Sequence, residues 1–114
     1  MADFNKVVLL GNLTRSPEER QVAGESYVYE FGLAINRKYK KDGESKEEAC
    51  FVDVSAWGSL GKNCFKYLEK GDPALVEGYL KFSEWEKNGE KRSKLRVVAL
   101  NVQFLKRKDE KIPF

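Results

Sequence analysis

Apolar and polar residues alternate along most of the chain, most sharply in residues 50–58, Cys-Phe-Val-Asp-Val-Ser-Ala-Trp-Gly. Successive side chains of a strand point to opposite faces. Cys50, Val52, Val54 and Ala56 then make a small apolar face suited to a core. Phe51, Asp53, Ser55 and Trp57 make a face of two large aromatics and two polar groups. Phe51 and Trp57 lie six residues apart, roughly 20 Å at the usual strand rise, too far to touch but spaced to stack separate bases of an extended nucleic acid. A covering layer, a helix or another subunit, explains the aromatics equally well, and this strand alone does not choose.

The other elements follow from the same reading. Residues 4–13 are apolar on both faces through Val7, Val8, Leu9 and Leu10, the pattern of a strand central in a barrel or part of a subunit interface. Arg15-Ser16-Pro17-Glu18 breaks the pattern, and Gly24-Glu25-Ser26 reads as a turn. A strand over residues 27–36 turns Phe31, Leu33 and Ile35 toward a core and leaves Gly32 and Ala34 low on its other face, open to close approach. Asp42-Gly43 predicts a hairpin back into residues 50–58. Its first arm, Arg37-Lys38-Tyr39-Lys40-Lys41, sets four cations around one aromatic, a grip for phosphate and base. Glu44, Glu47 and Glu48 on the return arm fit an ordinary solvated hairpin as well.

Ser59 can cap a helix carrying Leu60, Cys64 and Leu68, joined by Phe65 and Tyr67 and ended by Gly71. Within it, Gly58-Ser59-Leu60-Gly61-Lys62 lacks the glycine spacing of a phosphate loop, and Asn63 stands where Ser or Thr belongs. The same residues fit the GXXG of a KH domain, but a strand rather than a helix precedes them. In residues 75–86 the alternation returns, with Val76, Gly78, Leu80 and Phe82 on one face and Glu77, Tyr79, Lys81, Ser83 and Trp85 on the other. Two aromatics again lie six residues apart, now with Lys81 between them. Two such strands in one small domain favour a base platform over a covered face. Asn88-Gly89 predicts a second hairpin, after which Lys91, Arg92, Lys94 and Arg96 can line the same groove. The last strand, residues 95–105, carries Val97, Val98, Leu100, Val102 and Phe104 to close the sheet.

Composition narrows the chemistry. A chain of 114 residues fits one domain. No apolar run approaches a membrane span and the first residues do not resemble a secretory signal, so a soluble, cytoplasmic protein with no membrane association is expected. Cys50 and Cys64 are too far apart for a CxxC pair and are expected as buried free thiols. Twenty-one Lys and Arg against eighteen Asp and Glu give a net charge of only +3, so the placement of the cations matters more than their number. The absence of histidine excludes Ser-His and Cys-His nucleophiles and removes the commonest metal ligand. No catalytic residues, metal or cofactors are expected.

The order strand, strand, strand, helix, strand, strand, with long hairpins after the second and fourth strands, predicts an all-β, five-stranded Greek-key barrel of the OB type with one helix between strands 3 and 4. Several segments also resemble the bacterial single-stranded DNA-binding protein family nearly throughout and in register. They are Phe4-Asn5-Lys6-Val7-Val8-Leu9-Leu10-Gly11-Asn12-Leu13-Thr14-Arg15, Phe31-Gly32-Leu33-Ala34, Phe51 with Ala56-Trp57-Gly58, Tyr67-Leu68-Glu69-Lys70-Gly71, Val76-Glu77-Gly78 and Asn101-Val102-Gln103-Phe104-Leu105. The resemblance implies an OB fold, usually a homotetramer, that wraps single-stranded DNA without sequence preference in replication, recombination and repair. It implies no catalysis, and a cytoplasmic, nucleoid-associated location. It places the family's stacking aromatics on Tyr39, Phe51, Trp57 and Trp85, to which the alternation adds Tyr79. Arg37, Lys38, Lys40, Lys41, Lys81, Lys91, Arg92 and Lys94 are the expected phosphate contacts.

Residues 1–105 are expected to form the binding domain and residues 106–114 a short tail. By resemblance, Ile112, Pro113 and Phe114 form a tip that recruits replication and repair proteins. Three departures stand out. Val52-Asp53 replaces a frequent His-Arg and puts an anion on the binding face, where Asp53 weakens binding or pairs with a lysine. The tail is short, at most about 30 Å when extended, with Lys111 where an acid is usual. The loop aromatic is Tyr39 rather than tryptophan. The rival readings are an accessory primosomal OB protein acting through protein contacts, an RNA chaperone of cold-shock type and an OB-fold nuclease.

Overall fold

The computed structural model describes residues 2–105, so the tip at Ile112, Pro113 and Phe114 lies outside the described residues. In chain order the elements are β1 (Val7–Leu13), β2 (Glu18–Gln21), β3 (Tyr27–Lys41), β4 (Glu44–Trp57), α1 (Gly58–Tyr67), β5 (Pro73–Lys87) and β6 (Glu90–Phe104). Five of the strands close a barrel. β1 pairs antiparallel with both β3 and β5, β5 pairs with β6, and β3 pairs with β4. A short parallel contact, Val54 with Val97 and Ser55 with Val98, joins β4 to β6. β2 is an addition to the expected strands and, among the described residues, pairs only with the outer edge of β3. Its four residues, Glu-Glu-Arg-Gln, are all exposed and show no alternation. Among the barrel strands, α1 falls between the third and fourth, as the sequence predicts; β2 makes it lie between β4 and β5.

Both hairpin turns take the left-handed backbone that a two-residue type I′ loop demands, with φ of 54° and 79° at Asp42-Gly43 and 55° and 80° at Asn88-Gly89. These turns fix the register of two long arms that run beyond the barrel. The Cα radius of gyration is 16.6 Å, above the roughly 13 Å of a compact domain near this size. Phe31, Leu33, Val54, Ala56, Val76 and Val97 are sealed inside the barrel, each of the larger ones worth about 1.5 to 3 kcal/mol of burial. Farther out, the same faces lose their cover. Cys50 is exposed, contrary to its predicted burial, because it lies where β4 leaves the barrel; Cys64 on α1 is buried. Leu80, Phe82 and Leu95 on the second arm and Val8 and Leu10 on β1 are likewise open to solvent in the single chain.

The helix also corrects one expectation. Its N-cap is Trp57, with no side-chain capping bond, so Ser59 does not cap it. Gly61, from the phosphate-loop and GXXG lookalike, packs beneath the Tyr29 ring and the Ala56 carbonyl, where a Cβ would overlap both. Outside the regular strands, the Asn5 side chain substitutes for one, accepting from the Leu80 amide at 2.9 Å and donating to the Leu80 carbonyl at 2.8 Å.

Candidate nucleic-acid interface

Register decides which side chains share the outer face. Phe51, Asp53, Ser55 and Trp57 of β4 stand opposite Ala34, Gly32, Glu30 and Val28 of β3. On the other side of β4, Ser55 is level with Val98 of β6. Val98, Arg96, Lys94 and Arg92 in turn oppose Tyr79, Lys81, Ser83 and Trp85 of β5. One continuous face therefore carries Phe51, Trp57, Tyr79 and Trp85, interleaved with Lys81, Arg92, Lys94 and Arg96. At its centre is an open groove of about 500 Å³ lined by Arg20, Glu30, Ser55, Trp57, Lys81, Ser83, Trp85 and Arg96. Phe51, Trp57 and Trp85 leave 70%, 45% and 41% of their surface exposed, enough ring area for a base to lie against each. Beyond Trp57 a second hollow is bounded by Tyr27, Tyr29 and Lys62, with Glu19 and Glu25. There the Tyr29 hydroxyl donates to Glu19 at 2.8 Å, which raises the phenol above its ordinary range.

The same face holds two carboxylates, each between two cations. Arg20 grips Glu30 with both Nε and Nη2, at 3.2 and 3.1 Å, and Arg96 donates to it from the other side at 3.0 Å. The Arg20 hydrogen bonds, helped by the charges of Arg20, Arg96 and Arg15, hold the Glu30 carboxyl below the usual range against the opposing effect of burial. Asp53 pairs with Arg15 at 3.5 Å and with Lys94. Arg15 reaches Asp53 by crossing Gly32, where a Cβ would overlap Thr14 Oγ1 and lie 2.7 Å from Arg15 Nη1. The low surface predicted at Gly32 thus serves this crossing, and Asp53 is paired with a lysine.

Not every predicted residue joins the groove. Tyr39 opposes Lys46 and so lies on the alternate side of the pleat from Phe51. It sits in a separate hollow with Lys38, Lys40, Ser45 and Lys46. Arg37 stacks over its ring at 4.7 Å and pairs with Glu48 at 2.8 Å, so this cation is already engaged. Lys41 lies opposite Glu44. Lys91 lies opposite Glu86, on the pleat face away from Arg92, and Arg92 contacts Glu90 at 3.3 Å. Alternation does not reveal Arg15, Arg20 or Glu30 as parts of the face. Arg15 and Arg20 lie in or beside a segment without periodicity, whereas Glu30 could have been found by stepping two residues from Gly32. Among the described residues, no group of three or more Cys, Asp or Glu side chains can hold a metal, and no helix is long and apolar enough to cross a membrane.

The barrel order, with its parallel β4–β6 contact, defines an OB-type β-barrel protein. The profile of the Single-strand binding protein family matches residues 4–105, and the chain belongs to that family. Among curated relatives, the single-stranded DNA-binding protein of Wolinella succinogenes is 43% identical over 104 residues, covering 90% of this chain and 64% of the relative. That of Treponema pallidum is 43% identical over 105 residues, covering 92% of this chain and 60% of the relative. The chain therefore spans about three fifths of the length of these relatives. The structure of a deletion mutant of the single-stranded DNA binding protein from Thermus aquaticus superposes with a TM-score of 0.80 at 31% identity, covering 92% of this chain and 52% of that one. A Plasmodium falciparum SSB in complex with ssDNA has the same fold, with a TM-score of 0.83 at 22% identity over 92% of this chain and 97% of the other.

Proposed function

We propose that this protein binds single-stranded DNA without sequence preference, without catalysis, and protects it during replication, recombination and repair. The observation that carries this reading is the groove in which Trp57 and Trp85 stand with Lys81 of β5 and Arg96 of the intervening β6. Aromatic faces accept any base by stacking, at about 1 to 3 kcal/mol each, while the cations follow the backbone. Phe51 and Tyr79 extend the platform along the same face, and Tyr39 with Lys38 and Lys40 offers a further contact on the first arm. Lys94 and Arg92 add phosphate contacts. The names of the relatives support the choice of single-stranded DNA over other polyanions.

The exposed apolar face of β1, with Val8 and Leu10, and the open Leu80, Phe82 and Leu95 on the second arm suit assembly into the homotetramer implied by the resemblance. Ile112, Pro113 and Phe114 are proposed as a recruiting tip for replication and repair proteins, in the cytoplasm at the nucleoid. Titrating the protein with oligo-dT at low salt tests the central claim: the tryptophan emission falls and the oligonucleotide is retarded in a gel. Unchanged emission together with no retardation overturns it.

A further inference from the structure

The binding face is cationic, but four of its cations share two carboxylates, so its net charge is well below the cation count. Glu30 holds Arg20 and Arg96, and Asp53 holds Arg15 and Lys94. Both carboxylates are only partly exposed, 21% for Glu30 and 24% for Asp53, and both lie on the outer face whose aromatics are Phe51, Trp57 and Trp85. A phosphate that reaches these cations meets partners already paired with an anion of the protein itself. A base that stacks on the aromatics meets no such competitor.

We propose that Asp53 and Glu30 are specificity-determining residues that occupy the cation sites as internal anions, so that the face selects unpaired bases over bare phosphate backbone. This rests on the single-stranded DNA reading above. A phosphate at these sites must share or displace the internal carboxylate, so the pair neutralises less of the phosphate charge, and releases less of the DNA's condensed counterion, than an unpaired cation would. It therefore contributes less to affinity and to salt dependence than contact with an unpaired cation. Duplex DNA, which offers phosphates but no unstacked bases, gains least from such a face.

The test compares the full chain with Asp53→Asn, Glu30→Gln and Asp53→Glu in titrations with oligo-dT and with a duplex of equal length, across a series of salt concentrations. Removing one internal anion frees about one net positive charge, so the logarithmic salt slope for oligo-dT steepens by about 0.7 in Asp53→Asn and in Glu30→Gln. Binding at low salt tightens several-fold, more for duplex than for oligo-dT, and Asp53→Glu keeps the slope of the unaltered protein. Circular dichroism checks that each variant is folded, and Asp53→Asn and Glu30→Gln make independent tests. An unchanged slope in both amide variants, or weaker binding by both, overturns the inference and leaves the function standing. Failure of the unaltered protein to bind oligo-dT overturns the functional reading itself, and this inference with it.

Discussion

Trp57 and Trp85 line one groove although one ends β4 and the other lies in the outer half of β5. They meet because β6 lies between their strands, level with Ser55 through Val98 and with Trp85 through Arg92. Neither ring supports the core, since nearly half of each is open to solvent.

Replacing either tryptophan with alanine should therefore weaken oligo-dT binding by about 1 to 3 kcal/mol, roughly five- to 150-fold, with little change in thermal stability. Tyr39→Ala should behave differently. Tyr39 sits on the alternate pleat in its own hollow, so its loss should matter for a long oligonucleotide that reaches the arm and hardly at all for one that fills only the groove. Fluorescence and anisotropy titrations with oligo-dT of two lengths read both effects. Equal losses for Tyr39→Ala at both lengths would place it within the groove's path.

The contrast between Trp57 and Tyr39 shows what alternation makes legible. Period-two patterning identified β4 and β5, their aromatic faces and both hairpins, because inside a barrel one face is always buried and the pattern is enforced. It gave no sign of β2, whose exposed polar residues have no face to protect. It also overestimated the cover at Cys50, because sequence does not mark where a strand leaves the barrel and becomes a free arm. Three of the four ion pairs of Glu30 and Asp53 join residues far apart in sequence, and only closure of the barrel brings Arg15 and Lys94 to one carboxylate. The helix was recognisable from Leu60, Cys64 and Leu68, but its cap was not, because Trp57 begins it without a side-chain bond.

Gly78 marks the one register shift in the β5–β6 ladder, and a Cβ there would overlap the carbonyl oxygen of Val98. Backbone cannot swing aside as a side chain can. Gly78→Ala should destabilise the fold by about 1 to 3 kcal/mol, the usual cost of overpacking, and lower the melting temperature by at least about 4 °C. Thermal unfolding followed by circular dichroism measures this, and a variant as stable as the parent would refute the close approach.

The two thiols should separate cleanly. Cys50 is exposed, whereas burial in the barrel end pushes the Cys64 thiol up to about 11 and hides it from reagent. At pH 8 the folded protein should consume one equivalent of a disulfide reagent such as dithionitrobenzoate rapidly, and a second only on addition of denaturant. Mass spectrometry of the labelled peptide should find Cys50. Rapid reaction of both thiols would contradict the burial of Cys64.

Acid should expose the energetics of Glu30. Its carboxyl is held below the ordinary glutamate range, first by the Arg20 hydrogen bonds and then by the charges of Arg20, Arg96 and Arg15. A carboxyl whose folded pKa lies below its unfolded value stabilises the protein fully above the unfolded value, near 4.3, and loses that contribution as pH falls through the folded one. Glu30→Gln should accordingly cost about 1 kcal/mol at pH 7, the upper range for a partly exposed ion pair. Below the folded pKa, where the native carboxyl is itself protonated, the difference should vanish. Urea unfolding of both proteins at pH 7 and at steps through the acid range reads the convergence directly. A gap that stays constant as the pH is lowered through the acid range would mean that Glu30 contributes through packing rather than charge, leaving Arg20 and Arg96 without the electrostatic hold described for the groove.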